Sequence, residues 1–387
     1  MSSTTSTSDH GVITDVWYVS HDVTWRTSWD TVRVTTADGS AGIGELSDAG
    51  TRELSGRYVS EVAELVVGLS ADEALSFVGA ESERLSEGRE LSWPERRLRL
   101  TVLGGFDAAL CDLVAACAGI PLPQWYGRSA GPEFPCYANL NRALHRRTPD
   151  EFARVAKLAV ASGFTAVKCA PFDFLVGSRR VDLGLRLAAA VREAIGDDVE
   201  LRLDLHKHVR VDEILASAPA FAELRPAWIE DATDLSDVDG MRAVRESLGV
   251  PIAGGEFAAS KAELEPALSA GVLDIVTPDV KHAGGPRRAL ELARFATSAG
   301  AQVSLHNPTG PVSTAHSLAV SWQVPACGPL ELAIGEHDRR ATAVSPEEHV
   351  RDGMIGTRPG GVGLGHELST EGLPMEAGPE PRIEFAR

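Results

Sequence analysis

Five strand-like segments each end in a residue that holds or moves charge: Asp204, Glu230, Glu256, Asp279 and His306. The steps between them are 26, 26, 23 and 27 residues. Each step accommodates one strand, one helix and two loops. Parallel strands need a crossover of about a dozen residues or more, usually helical, so this beat is that of a β/α barrel. Reactive groups in such a barrel collect at the C-terminal ends of the strands. Three carboxylates followed by an Asp and a His at one mouth read as a divalent-metal site beside a base.

The beat extends on both sides of these five positions. Strands are expected at Cys136–Asn141, Thr165–Ala170, Glu200–Leu205, Pro226–Asp231, Ile252–Glu256, Asp274–Asp279, Gln302–His306 and Leu330–Ile334. Helical periodicity separates them at Glu151–Ser162, Leu183–Ile195, Val211–Ala218, Val238–Leu248, Lys261–Ala270, Pro286–Ala299 and Ser313–Val320. Several of these close on Gly, among them Gly196 and Gly249, where a helix C-terminus calls for a left-handed residue. The fold class is therefore α/β, a TIM-like barrel.

Ahead of the barrel, Val12–Val19, Asp30–Thr36 and Ala41–Glu45 alternate as three strands of a meander. Helical stretches follow at Tyr58–Gly68 and Arg97–Ala118. The expected division is a disordered tail over 1–11, an α+β capping domain over 12–125, the barrel over 126–345, and a Gly- and Pro-rich segment over 346–387 that packs back on the cap.

The balance of 37 Lys plus Arg against 55 Asp plus Glu gives a formal charge of −18. Such a surface disfavours nucleic acid and anionic membranes. An anionic small molecule remains admissible, because a bound metal inverts the sign locally. The five cysteines are scattered without metal-finger spacing, and the start lacks a basic, then apolar, leader. A reduced, cytoplasmic setting with no membrane partner is the expectation.

Three strand ends in succession carry acids: Asp204, Glu230 and Glu256. One such acid alone is as well explained as a helix N-terminal residue. Three at matched steps point to a hard cation such as Mg²⁺, one per site, which takes oxygen ligands. Asp279 would fix the tautomer of His306 and raise its basicity, as a proton-abstracting base requires. Glu331, 25 residues after His306, would hydrogen-bond an oxygen that gains charge during reaction.

With these residues in place the chain resembles the enolase superfamily, in particular its mandelate racemase-like subgroup. The resemblance spans Gly42-Ile43-Gly44-Glu45, the Ala108–Leu113 helix, the Asp-Glu-Glu triad, Pro278-Asp279, His306-Asn307-Pro308 and Gly363-Leu364-Gly365. It implies a modified (β/α)₇β barrel under a cap built from both termini. It also implies removal of the proton α to a carboxylate by a His or Lys base, with Mg²⁺ stabilising the enediolate. Racemases of the subgroup carry Lys-x-Lys on the second barrel strand, and here the second position is Ala170, so two-base racemisation lacks a partner. Lys168 remains, either to offset a substrate carboxylate or as a lysine with a buried stem.

Asp204-Leu205-His206 resembles the Asp-x-His of sugar-acid dehydratases such as galactonate dehydratase, in which the His protonates the departing hydroxyl. Period-two alternation puts His206 on the Asp204 side. Those dehydratases continue with Gly-Arg, whereas this chain has Lys207-His208, and His208 is favoured as an exposed residue. The implied activity is that of a carbon–oxygen lyase dehydrating a hydroxylated carboxylate to a 2-keto-3-deoxy acid. The alternatives are a racemase, epimerase or cycloisomerase of the same superfamily, and a non-catalytic carboxylate binder. Asn307 is a candidate substrate contact. The family's cap loop corresponds to Ser20–Ser28, so Trp25, Arg26 and Trp29 would either wall and clamp the substrate or pack cap on barrel. Barrels of this family also imply a homo-oligomer.

Overall fold

The computed structural model describes residues 11–24, 27–88, 91–357 and 360–369. It opens with an antiparallel sheet of β1 (Ile13–Thr24), β2 (Thr27–Thr36) and β3 (Ala41–Glu45). The first two strands are longer than the sequence suggested. Their pairing runs from Ile13 opposite Thr36 to Thr24 opposite Thr27, so most of the expected 20–28 loop is the end of a hairpin. Val23, Thr24 and Thr27 are β-branched and suit that pleated pair. Trp25 and Arg26 lie outside the described residues.

Helices α1 (Arg52–Val66), α2 (Ala71–Glu87) and α3 (Trp93–Cys117) cover the sheet, and a single turn, α4 (Leu122–Trp125), follows. By length and composition α3 is apolar enough to cross a membrane, yet 89% of that stretch is buried. It is the cap's core helix, apolar all round because it is enclosed all round. Full burial of side chains such as Leu103, Phe106 and Leu110 contributes about 1.5–3 kcal/mol each. Strand β3 lies directly on this helix. A Cβ at Gly44 would meet the Gly105 carbonyl oxygen well inside van der Waals contact, and one at Gly42 would do the same to Ala109. Only glycine permits that approach.

The barrel strands are β4 (Glu133–Asn139), β5 (Ala166–Cys169), β6 (Glu200–Asp204), β7 (Pro226–Glu230), β8 (Ile252–Gly254), β9 (Ile275–Val276), β10 (Gln302–Val303) and β11 (Leu330–Ala333). They pair in parallel in that order, and β11 returns to β4. The remaining joint is tied by Gly328 N–H to the Val303 carbonyl at 2.7 Å and Ser304 Oγ to the Pro329 carbonyl at 2.7 Å. The crossover helices are α5 (Pro149–Ala161), α6 (Arg180–Ile195), α7 (Val211–Ala216), α8 (Ala218–Glu223), α9 (Val238–Leu248), α10 (Lys261–Ser269), α11 (Pro286–Ser298) and α12 (Pro311–Ser321). The expected single helix over Val211–Ala218 splits into α7 and α8. Pro219 has no N–H to continue the ladder and starts the second piece instead.

Strand alternation sorts the barrel's inside from its outside. Cys136, Val167, Leu201, Leu203 and Ile229 face the helices in one large hydrophobic cluster. Tyr137, Ala166, Trp228, Ala253 and Ile275 fill the interior. The Arg202 guanidinium lies 4.0 Å from the ring centroids of both Tyr137 and Trp228. Polar side chains form the layer above, two positions further along the same strands: Asn139, Lys168, Asp204 and Glu230.

The segment after β11 touches both halves. Met354–Gly356 pairs antiparallel with the start of β4, and the chain then returns to the cap, where Leu364 N–H donates to Asp112 Oδ1 at 2.6 Å. Cap and barrel are further clamped by Glu45. Its Oε1 accepts from Thr309 Oγ1 at 2.6 Å and Gly310 N–H at 2.8 Å, and its Oε2 from Ser313 N–H at 2.9 Å. A carboxylate at the start of α12 also meets the positive end of the helix dipole. The loop it holds carries His306.

Candidate active site

A cavity of about 940 Å³ lies where the barrel strands end beneath the cap. Asp204 and Glu230 are the last residues of β6 and β7, while Glu256, Asp279 and His306 stand two or three residues beyond β8, β9 and β10. Asp204, His206, Glu256 and His306 line the cavity. Asp204, Glu230, Glu256 and Asp279 are all buried.

Asp279 is the most heavily engaged of these acids. It accepts from Lys281 Nζ at 2.8 and 3.1 Å, from the N–H of Lys281 at 2.7 Å, and from His306 Nδ1 at 2.8 Å. Burial works against its charge, but Lys281 and its other neighbours hold it well below the usual carboxylate range. His306 Nε2 points the other way and lies 2.8 Å from Glu256 Oε2. Burial alone would lower the His306 imidazole, yet Glu256, Glu331 and its hydrogen bonds raise it to about 10.

Across the ring His206 is set in the same manner. Its Nδ1 is 2.7 Å from Asp173 Oδ1 and its Nε2 is 2.9 Å from Asp204 Oδ2. Burial opposes its charge, but Asp204 and Asp173 lift it well above the ordinary value. Its side falls as alternation implied, although the strand stops at Asp204 and His206 is left-handed at φ 42°.

The acids crowd one another. Burial, with Asp204, Glu331 and Glu256 nearby, outweighs Lys168 and pushes Glu230 up to about 8. Burial together with Glu256 and Asp204 raises Asp231 to about 7. Asp204 Oδ2 and Glu256 Oε2 are buried and receive no well-directed hydrogen bond, although an imidazole stands near each. Ligand atoms of Asp204, His206 and Glu256 lie within 4.8 Å of one another. Buried, crowded, under-satisfied carboxylate oxygens suit a hard divalent cation. Glu230 is not in that tight group; its oxygens accept from Lys168 Nζ at 3.1 Å and Trp228 Nε1 at 3.2 Å.

Several expected substrate contacts take other positions. Lys168 is fully buried, with Nζ 2.8 Å from Glu331, 3.1 Å from Glu230 and 3.5 Å from Asp204. It lines the cavity all the same, and its charge is shared among the protein's own acids. Glu331 accepts from Asn139 Nδ2 at 2.6 Å, Lys168 Nζ at 2.8 Å and Asn307 N–H at 3.1 Å. Burial disfavours its charge, but Lys168 lowers its pKa, so it serves as that lysine's counter-ion and has no proton for a substrate oxygen. Asn307 is buried, its amide nitrogen donating to Thr314 Oγ1 and the Glu331 carbonyl and its oxygen accepting from Ser317. It braces the loop instead of touching a ligand. Trp29 is 3% exposed and packs on Ala343, with the His337 ring 6.4 Å away. It belongs to cap packing, outside the cavity.

Among the described residues, the cap lines the cavity with Asp48, Trp93 and Arg97. Arg97 lies 4.3 Å over the Phe257 ring, and Trp93 meets the same ring edge-on at 5.6 Å. Arg97 opens the helix expected from periodicity and Trp93 lies four residues ahead of it, at the start of the observed α3. Neither gives a sign of the cavity, which forms only when α3 crosses the barrel mouth. Asp173 and Asp231 did carry a signal, each lying within four residues after a barrel strand.

Residues 151–372 match the family model described as enolase C-terminal domain-like. The chain is 30% identical over 320 residues to the D-gluconate dehydratase of Thermoproteus tenax, covering 80% of this chain and 62% of that protein's length. It is 28% identical to the D-galactonate dehydratase of Verminephrobacter eiseniae (72% and 73% covered). It is 31% identical to the D-galactarolactone cycloisomerase of Agrobacterium fabrum (74% and 76%). A solved mandelate racemase/muconate lactonizing enzyme from Jannaschia sp. CCS1 superposes with a TM-score of 0.79 at 23% identity, covering 96% of this chain and 100% of that one.

Proposed function

The chain belongs to the enolase C-terminal domain-like family, in the company of mandelate racemase-like sugar-acid dehydratases, and from that premise we propose that it dehydrates an aldonic or related hydroxy acid to a 2-keto-3-deoxy acid. One observation carries the reading. His306 follows β10 and His206 follows β6, four staves apart in a ring of eight and so on facing sides, each ring oriented by its own aspartate.

His306 Nε2 removes the proton α to the carboxylate, and the electron pair passes into an enediolate. His206, held protonated by Asp204 and Asp173, gives its proton to the 3-hydroxyl, which leaves as water. The C2–C3 enol that remains tautomerises to the keto acid. Mg²⁺ held by Asp204 and Glu256, and by Glu230 once it yields its Lys168 contact, would supply positive charge against the substrate carboxylate and compensate the Glu256 charge that otherwise keeps His306 protonated. Lys168 holds the carboxylates of the floor together at close quarters. Each general acid or base contributes roughly 10²–10⁴-fold.

Position 170, at the end of β5, is a buried Ala. Lys168 on the same stave is held among Glu331, Glu230 and Asp204, so the stave offers no free second base, which favours elimination over epimerisation. The resemblance to a cycloisomerase supports a second reading, in which His306 works on a lactone without loss of water. The Mg²⁺-loaded protein, screened against aldonic and aldaric acids with semicarbazide to trap keto acids, tests the first. Keto-acid release is expected. Isomerised lactone without keto acid would favour the second.

A further inference from the structure

We propose that Asp173, His206 and His208 form a transition-metal site on the rim of the cavity, which shares His206 with the carboxylate cluster on its floor but uses the opposite ring nitrogen. His206 and Lys207 are successive left-handed residues, φ 42° and 58°, and the turn is closed by His208 N–H on the Leu205 carbonyl at 2.8 Å. This fold brings both imidazoles to the Asp173 carboxylate. His206 Nδ1 is 2.7 Å and His208 Nε2 is 3.6 Å from Asp173 Oδ1. Ligand atoms of the three residues lie within 4.8 Å of one another. Lys207 does not compete, because its Nζ is drawn off to Asp234 at 3.1 Å.

Two imidazole nitrogens and one carboxylate oxygen are a donor set for Zn²⁺ and its neighbours, with the fourth position open to water, whereas Mg²⁺ prefers oxygens. Bonds of about 2.0–2.2 Å require the His206–Asp173 pair to separate by a fraction of an ångström and the half-exposed His208 ring to turn in toward them. The His208 side chain is half exposed, so an ion has an entry path. The metal takes Nδ1 of His206 in place of its proton and pins the ring to the rim. If His206 is the general acid of the proposed dehydration, filling this site stops turnover.

The test uses Mg²⁺-saturated protein titrated with Co²⁺ as a visible stand-in for Zn²⁺. One Co²⁺ per chain with a ligand-field band is expected in the wild type and in Glu256→Gln, which alters the floor and leaves all three rim ligands in place. His208→Gln should weaken that binding by more than the roughly 10–100-fold that loss of an outer partner costs, and should lose Zn²⁺ inhibition while keeping the basal rate. A Co²⁺ band that survives in His208→Gln, or that vanishes in Glu256→Gln, overturns the proposal. The band reads metal binding directly, so a chain with the rim site but without dehydratase activity is recognised as such.

Discussion

His306 Nδ1 lies 2.8 Å from Asp279 Oδ2, and Lys281 Nζ anchors the same carboxylate from 2.8 Å. The acid therefore dictates which imidazole nitrogen carries hydrogen and leaves Nε2 facing the cavity. Asp279→Asn allows the opposite tautomer. Turnover should fall by roughly 10²–10⁴-fold, with α-proton exchange lost in parallel and Mg²⁺ affinity nearly unchanged, as read by steady-state rates and calorimetry.

Burial of Asp204 and Glu256 close together, with Glu230 beside them, should make the folded protein a better cation binder than the unfolded chain. Mg²⁺ at 100 times its dissociation constant should add about 2.7 kcal/mol of stability. Thermal melts with and without chelator measure it. Glu256→Gln should remove most of the Mg²⁺-dependent shift.

Glu45 accepts four hydrogen bonds, from Ser47, Thr309, Gly310 and Ser313. In Glu45→Gln one end of the side chain becomes a donor facing donors. Each orphaned buried group costs about 1–3 kcal/mol. The variant should melt earlier and lose kcat, because the loop with His306 hangs from this clamp, while Mg²⁺ still binds.

His316 is buried and donates from Nε2 to the Ile43 carbonyl at 2.8 Å. Burial lowers it to about 4 from 6.5. Above pH 6.5 neither state protonates it, and below about 4 both do. Between those values only the unfolded chain takes the proton, so stability drops as pH falls. The loss is about 3 kcal/mol, read as the difference between wild type and His316→Gln in urea titrations at pH 7 and pH 4.

The level of the cavity is legible in the sequence because side chains that serve it must sit at one height of the ring, and equal chain lengths between Asp204, Glu230 and Glu256 reflect that. The strand ends are less so, since β8, β9 and β10 stop two or three residues short of Glu256, Asp279 and His306. Helix α9 is legible to its observed bounds, since Asp237 caps one end and Gly249 closes the other. Helix α2 is not, because its sequence ADEALSFVGAESERLSE is rich in small and polar residues that blur the period. Asn307 departs from expectation, and Trp29 takes the packing reading of its two, for another reason. Spacing tells which residues lie near the mouth, but whether a side chain meets solvent or a neighbouring carbonyl is decided by tertiary packing. The same limit hides Trp93 and Arg97, which reach the cavity only through the crossing of α3 over the barrel.

One imidazole stripping the α-proton while the facing one expels the hydroxyl has a distinct isotopic signature. It is read by proton NMR of the Mg²⁺-loaded protein with an aldonic acid in D₂O. A 2-keto-3-deoxy acid carrying one deuterium at C3 should accumulate, with no product from His306→Gln. Accumulation of substrate deuterated at C2 without keto acid, or unchanged dehydration by His306→Gln, would refute this division of labour.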